Sequence, residues 1–485
     1  MNKVNESMLI DFYEFTMANG YFESGFKDTI VYFDLFFRSI PNQGGYAVMA
    51  GLESVIHYID NLSFTAADIT YLRNRKLFSD AFLQFLETFR FKGDVYAVKE
   101  GTVIFPNEPI LTVRATAIEA QLLETYLLLA FNHQSLIATK ASRIKFAAKD
   151  RLIIEMGARR AHGVSSANYG ARAAYIGGAD LTSNTYADTH LNIPASGTMA
   201  HSWVQLFDNE LEAFRAYAKT YPENTTFLLD TYDTLRSGLP HAIQVIKEEL
   251  LPRGVKSFAV RIDSGDLTYL AKKIRAELDN EGLHQCKIIA SNALDEYLIK
   301  ALLDQGAPID VFGVGERLIT AKSDPVFGGV YKLVAVEKNG TIEPKIKLSD
   351  NPNKLTTPHF KKLYRVYDPS GHACADLITL HDEVIDESKP LTLFDPDHTW
   401  RRTTYVDYTL RTLLEPIYLR GKRVYDLPDV KAVKAYCQKE LETLWDEMRR
   451  FEFPHQYYVD LSESLWKIKM KLIKAHHHDQ AGRSV

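Results

Sequence analysis

Cysteine is scarce in this sequence: Cys286, Cys374 and Cys437 are too few, too scattered and odd in number for a disulfide framework or a zinc-binding pattern. A reducing compartment is the expectation. No stretch approaches the roughly 20 apolar residues that a membrane-crossing helix needs. The first residues, MNKVNESMLIDFYEF, lack the unbroken apolar run of a secretory leader. A cytoplasmic chain with no membrane partner is therefore expected. Charge of one sign is not in surplus either. The 57 basic and 62 acidic residues leave a net charge of −5, which excludes the electrostatic footprint of a nucleic-acid binder. Any bound anion must be held by basic groups placed locally. Internal repeats, Gly/Ser linkers and low-complexity tracts are absent, and His476, His477 and His478 read as part of a solvated tail.

What is present is an ordinary globular composition, 46% hydrophobic and 25% charged, in a chain of 485 residues that is long enough for two or three domains. Early on, the run IVYFDLFF (30–37) predicts a strand, residues 46–60 a helix, and 94–114 short strands with turns at Gly101 and Pro106-Asn107. Residues 118–149, apolar and free of glycine, predict packed helices. After residue 150 the texture changes. Short apolar runs at Leu152–Glu155, Phe227–Leu229, Phe258–Val260, Ile288–Ala290 and Val311–Phe312 each end in a polar or glycine-bearing cluster. Helix-like sequence follows at 239–251, 266–281 and 293–305. Buried strands that present functional side chains at their C-terminal ends, each followed by a returning helix, make a (β/α) barrel; an open doubly wound sheet gives similar alternation. Beyond 330 strands return, with Asn339-Gly340 signalling a hairpin, a basic polar loop at 350–362, and an amphipathic helix at 429–448. Boundaries fall near 130, 330 and 380, and the segment 381–485 reads as largely helical.

The clusters carry the chemistry. PASGTMAHSW (194–203) delivers one histidine, His201, from a tight Pro/Gly-rich approach. Such a histidine serves as a general base, a nucleophile or a metal ligand, or is hydrogen-bonded for structure. No second histidine stands at HxH or HxxxH spacing, so a metal role is disfavoured. A nucleophilic role needs an orienting carboxylate, and Asp230 and Asp233 in the next cluster are candidates. RIDSGD supplies Arg261, suited to gripping a carboxylate, and Asp263, suited to a ribose hydroxyl. The same string also reads as a turn that caps a helix. FGVGERL places Gly313 and Gly315 before a helix, where backbone N–H groups attract phosphate, or else makes a tight turn. EMGARR and LTSN offer cations and small polar side chains; DFYEFTM is an aromatic helix whose default role is packing. Strand ends bearing Arg, Asp, Ser, His and Gly suit a small phosphate-bearing substrate. No lysine stands there as a Schiff-base candidate, which disfavours an aldolase. A non-catalytic metabolite-binding barrel remains an alternative.

Taken in order, DFYEFTM, FDLFFR, EMGARRAHG, GADLTSN, SGTMAHSW, LLDTYDT, RIDSGDL, ASNALDE and FGVGERL, then a Lys-rich loop, resemble the nicotinate phosphoribosyltransferase family. The likeness runs from about residue 8 to beyond 360, and GKRVYDLP (421–428) extends it. It implies an α/β chain, an irregular (β/α) barrel of the type II phosphoribosyltransferases over 131–330. A second α+β domain would be built from N- and C-terminal segments (1–130 and 331–380). It implies nicotinate mononucleotide synthesis in NAD salvage from nicotinate and phosphoribosyl pyrophosphate, coupled to ATP hydrolysis through a phosphohistidine, with Mg²⁺. A homodimer with active sites at the subunit interface is the implied assembly. By the same resemblance His201 is the phosphorylated residue and Asp230 orients it, with Arg261 and Asp263 completing the catalytic set. Tyr13 stacks on the pyridine ring from the neighbouring subunit. Arg159, Thr182, Ser183, Asn184 and Ser202 lie around the substrates, and Gly313, Val314 and Gly315 cradle the 5′-phosphate beside Ser291 and Asn292. Arg38, Lys347 and Lys354 reach the phosphates. The C-terminal cysteine cluster of some relatives is missing. Nicotinamide is the nearest rival substrate, because Asp180 beside Thr182-Ser183-Asn184 leaves an amide site open.

Overall fold

The computed structural model describes residues 6–348 and 355–481, with side chains to 475. It divides into two compact units, one made of residues 1–136 and 326–485, the other of Ile137–Pro325. Lys354 lies outside the described residues, as do the side chains of His476, His477 and His478, whose backbone belongs to helix Glu463–Ala481.

The first unit is the α+β domain assembled from both ends of the chain. Strand Ile30–Phe37 is apolar except for Asp34 and is buried along nearly its whole length. It pairs antiparallel with Leu111–Thr116 on one side and with Gly329–Lys338 on the other, so N- and C-terminal segments share one seven-stranded sheet. The expected hairpin forms: Gly329–Lys338 turns back into Thr341–Pro344 through Asn339 (φ 50°) and Gly340 (φ 74°), the paired positive φ of a tight two-residue turn. The helix expected over 46–60 spans only Leu52–Asn61. Gly51 takes φ 104°, and a Cβ there would stand 2.6 Å from the Ala130 carbonyl, so the chain before it is extended. Ala47–Val48 pairs instead with Val103–Ile104.

A second sheet runs Thr409–Thr412, Lys361–Tyr367, Ala373–Leu380, Tyr458–Leu461. The expectation of a largely helical 381–485 needs correction here. Residues 391–423 form strands Leu391–Phe394, Arg402–Tyr405, Thr409–Thr412, Leu414–Leu419 and Lys422–Arg423; helix begins at Val430. Runs such as LTLF and RTTY are β-branched and aromatic, and their short length hid the alternation. At the heart of this sheet Arg365, fully buried, grips Asp376 through two bonds (2.9 and 2.6 Å), reaches Glu440 at 3.3 Å, and donates to the Val103 carbonyl. Glu108, also buried, is pushed well above the carboxylate range by burial and by Asp376 beside it.

The second unit is the barrel. Its six strands are all parallel and run, edge to edge, Leu181–Thr182, Leu152–Glu155, Val311–Val314, Lys287–Ala290, Phe258–Ile262, Thr225–Leu228. In chain order that is second, first, sixth, fifth, fourth, third. Each strand lies beside its sequence neighbour and the first pairs with the last, which is a ring opened at one seam. A doubly wound sheet would instead reverse direction at an interior strand. Among the described residues the seam, between Leu181–Thr182 and Thr225–Leu228, carries no strand pairing. Leu181–Thr182, the start of the LTSN cluster, is itself a short strand. Its outer edge is met by residues 194–196, where Thr182 donates to Pro194 and accepts from Ser196.

Returning helices follow at Val164–Ile176, Glu210–Thr220, Leu239–Val245 (continuing to Leu250), Leu267–Asn280 and Glu296–Asp304. Several start on an acidic cap. Asp266 accepts from the Tyr269 N–H and Asp295 from that of Leu298, each satisfying an otherwise unpaired helix-start donor.

Candidate active site

The seam delivers the histidine. After the edge contact at 194–196 the chain turns into the short helix His201–Gln205, held by Trp203, whose indole donates to the Ala213 carbonyl (3.1 Å) and packs on Phe207 and Tyr217. His201 is 40% exposed, and its Nδ1 is hydrogen-bonded to the Thr231 hydroxyl at 3.2 Å. Its Nε2 lies 3.9 Å from Asp230 Oδ1, an ion-pair distance too long for a hydrogen bond. That Oδ1 is buried with no hydrogen-bond partner, whereas Oδ2 accepts from the Asp263 N–H (3.2 Å) and the Ser264 hydroxyl (2.5 Å). Asp233, the other candidate orienter, is spent on capping, accepting from Leu235 and Arg236.

Next along the sheet, Asp263 Oδ1 accepts from the Ser291 hydroxyl at 2.5 Å, which ties the end of one strand to the end of its neighbour. Arg261 donates to the Met199 carbonyl at 3.1 Å, bracing the His201 segment, and its Nε is buried and unpaired. Burial pushes the Arg261 guanidinium below its ordinary range; Asp263 and Asp230 oppose this and Arg159 adds to it. Arg159 and Arg261 therefore share one electrostatic neighbourhood with the two aspartates. Ser202 is exposed in the first turn after His201.

The glycines are required by space. A Cβ on Gly313 would lie 2.8 Å from Met156 Sδ and 3.2 Å from Ser291 Cβ, and one on Gly315 would lie 3.0 Å from the Met156 carbonyl. Val314 between them is buried in the strand. Asn292 follows with φ 87° in the left-handed region.

The polar trio splits. Thr182 donates to Glu155 (2.7 Å) and accepts from the Asn184 N–H, and Asn184 caps the next helix and donates to Asn168. Ser183 alone is exposed, and among the described residues its hydroxyl makes no hydrogen bond. Asp180 is engaged by Lys145 (3.0 Å) and the Ile153 N–H (2.9 Å), near the start of the first strand. Sequence reasoning missed Thr231 and Glu155. Both stand inside quoted clusters that were read only for other residues.

The first unit gathers a second group around Glu124. Tyr13, on helix Phe12–Glu23, is 46% exposed; burial first, then the carboxylates of Glu124, Glu14 and Asp11, hold its phenol far above the ordinary range. Glu124 also stands 3.9 Å from Lys332. Burial first, then repulsion from Lys347 and Arg38, lowers the Lys332 ammonium, so those three cations are clustered. The Arg38 Nε is buried and unpaired. Lys332 carried no signal in the sequence beyond its place in a strand. Glu14, fully buried, accepts from Thr125 and is raised to about 8, chiefly by burial.

Among the described residues no set of three or more His, Cys, Asp or Glu forms a metal-binding group, and no helix is long and apolar enough to cross a membrane.

Comparison with known proteins matches the chain to the nicotinate phosphoribosyltransferase N-terminal domain over residues 8–132, the family's central region over 152–370, and its C-terminal domain over 360–469. The nicotinate phosphoribosyltransferase of Bacillus subtilis is 45% identical over 96% of this chain and 95% of its own length. A nicotinate phosphoribosyltransferase of Mycobacterium tuberculosis is 40% identical over 98% and 95%. The crystal structure of human nicotinic acid phosphoribosyltransferase superposes with a TM-score of 0.83 at 30% identity, covering 96% of this chain and all of that one. The chain belongs to the nicotinate phosphoribosyltransferase family.

Proposed function

We propose that this enzyme joins nicotinate to the phosphoribosyl group of phosphoribosyl pyrophosphate in NAD salvage, and couples the reaction to ATP hydrolysis through phosphorylation of His201. The observation that carries the reading is the convergence of Asp230, Arg261, Asp263 and Ser291 at the C-terminal ends of adjacent barrel strands, with His201 brought against Asp230 from the seam segment. In the transfer step the pyridine nitrogen attacks the anomeric carbon, the bond from that carbon to the pyrophosphate oxygen breaks, and its electron pair leaves with pyrophosphate. Catalysis then rests on positioning and on stabilising the departing charge.

In the coupling step a ring nitrogen of His201 attacks the γ-phosphorus of ATP and ADP leaves; water then cleaves the P–N bond, which releases phosphate and restores the histidine. Asp230 beside Nε2 favours the tautomer with its proton there, so Nδ1, now turned to the Thr231 hydroxyl, is the nucleophile. The phosphorylated ring adds roughly two negative charges. Mg²⁺ suits the site as a substrate-borne ion: Asp263 would hold it together with phosphate oxygens, as this metal usually takes one or two carboxylates. When bound, it neutralises charge on the leaving pyrophosphate.

Arg159 and Arg261 with the free Ser183 hydroxyl suit the carboxylate of nicotinate. Asp180, the group that would favour the amide, is engaged elsewhere. The exposed ring of Tyr13 suits stacking on a pyridine held by a second copy of the chain, and Arg38, Lys332 and Lys347 suit its phosphates. A cytoplasmic homodimer is the assembly this implies. The test is incubation with nicotinate, phosphoribosyl pyrophosphate and Mg²⁺, with and without ATP. Nicotinate mononucleotide should form in both and faster with ATP; no product from nicotinate, or product from nicotinamide alone, would overturn the reading.

A further inference from the structure

The chain leaves strand Gly329–Lys338 and hairpin partner Thr341–Pro344, passes Lys347, and returns at Lys361, the first residue of the second sheet. The two stems of this excursion are cinched together. The Val334 carbonyl accepts from the Lys345 N–H at 2.8 Å and from the His359 N–H at 2.9 Å, so one oxygen pins both stems. Thr356, fully buried, accepts from the Lys347 N–H at 3.2 Å. Lys361 closes the neck from inside. Its ammonium, 1% exposed, lies 2.7 Å from Asp34 Oδ2 and donates to the carbonyls of Thr357 (2.9 Å) and His359 (2.5 Å), with Pro358 at 3.4 Å. The other oxygen of Asp34 accepts from Thr112 in the neighbouring strand. His359 is held at φ 81°, a backbone angle that a non-glycine residue keeps only under outside constraint.

Burying an ammonium is costly, and one surrounded by a carboxylate and turned-in carbonyls holds that backbone in a single shape. A hydrophobic residue would fill the space without gathering three carbonyls. We propose that Lys361, anchored by Asp34, is a positioning residue for the phosphate-bearing substrate: it fixes the loop stems that set Lys347 beside Lys332 and Arg38. The inference rests on the proposed role of those three cations in holding phosphates.

The test is steady-state kinetics of Lys361→Met with each substrate varied, together with amide hydrogen exchange. The KM for phosphoribosyl pyrophosphate should rise tenfold or more while the KM for nicotinate stays within twofold. The amides of Lys345, Lys347 and His359 should lose protection while the strands of the same sheet keep theirs. Thr356→Val, a milder change that cuts the stem contact alone, should raise the same constant three- to fivefold. An unchanged KM for phosphoribosyl pyrophosphate in both variants, or equal rises for both substrates, overturns the proposal. If the wild type makes no nicotinate mononucleotide, the reading of the reaction falls, and the clamp is judged by calorimetric binding of inorganic pyrophosphate. Tenfold weaker binding by Lys361→Met supports it and equal binding overturns it.

Discussion

Asp230 faces His201 with an oxygen that nothing else uses: Oδ1 is buried, unpaired and 3.9 Å from Nε2, while Oδ2 is saturated by Asp263 and Ser264. A buried acceptor left open toward one neighbour is costly unless that neighbour sometimes fills it. The ring needs to move only about 1 Å for a hydrogen bond to close.

His201→Asn should therefore abolish stimulation by ATP while slow ATP-independent synthesis persists. Asp230→Asn should lower the ATP-stimulated rate by about 10²-fold, within the range of acid–base partners. Labelling with γ-³²P-ATP should give an acid-labile phosphoprotein in the wild type and none in His201→Asn.

Gly313→Ala places a methyl group against Met156 and Ser291. Overpacking of this kind costs about 1–3 kcal/mol, and here it also displaces Ser291 from Asp263. The KM for phosphoribosyl pyrophosphate should rise about 10-fold, the equivalent of about 1.4 kcal/mol. Initial rates at varied substrate check it.

Arg365→Met removes the cation that, among the described residues, contacts buried Asp376 directly, leaving its charge uncompensated beside Glu108. Breaking one side of a buried pair costs about 3–5 kcal/mol. The urea midpoint should fall sharply, and Asp376→Asn in the same background should restore part of it.

Glu14 supplies a pH dependence. Burial, with repulsion from Glu124 and Asp11, raises it to about 8 against the Thr125 hydrogen bond, so the folded chain keeps a proton that the unfolded chain releases near its ordinary value of 4.5. The unfolded state then binds fewer protons across that interval, and stability falls as pH rises from about 4.5 to 8. A single proton gives a slope of at most about 1.4 kcal/mol per pH unit. Glu14→Gln should flatten the decline; melting temperatures of both proteins from pH 5 to 9 measure it.

The strand-end clusters were legible because each held two kinds of residue in a fixed order. In DTYD, RIDSGD and SNALDE the leading polar group faces the site and the trailing aspartate caps the returning helix, as Asp230 and Asp233, Asp263 and Asp266, and Ser291 and Asp295 show. Composition could not separate the two roles, since a capping aspartate and a site aspartate are the same residue type. The buried strand 30–37 and the Asn339-Gly340 turn were also legible, one from its unbroken apolar run and one from the angles that turn demands. Residues joined only by tertiary contact stayed silent: Thr231 against His201, Glu155 under Thr182, Lys332 beside Glu124. Strands 391–423 were missed because strands of two to six residues show too few alternations to betray a period.

The open seam of the barrel has a mechanical meaning. Elsewhere around the ring a shift of one strand end would drag its neighbours through the hydrogen bonds between them. The segment carrying His201 enters at the seam, where among the described residues no strand ladder runs; past the bridge at Thr182 it is held by Trp203 packing and by hydrogen bonds to Arg261, Ala213 and Thr231. A charge gained or lost on that ring can thus be accommodated by a local rearrangement, and the remaining strands act as a fixed frame against which it is read.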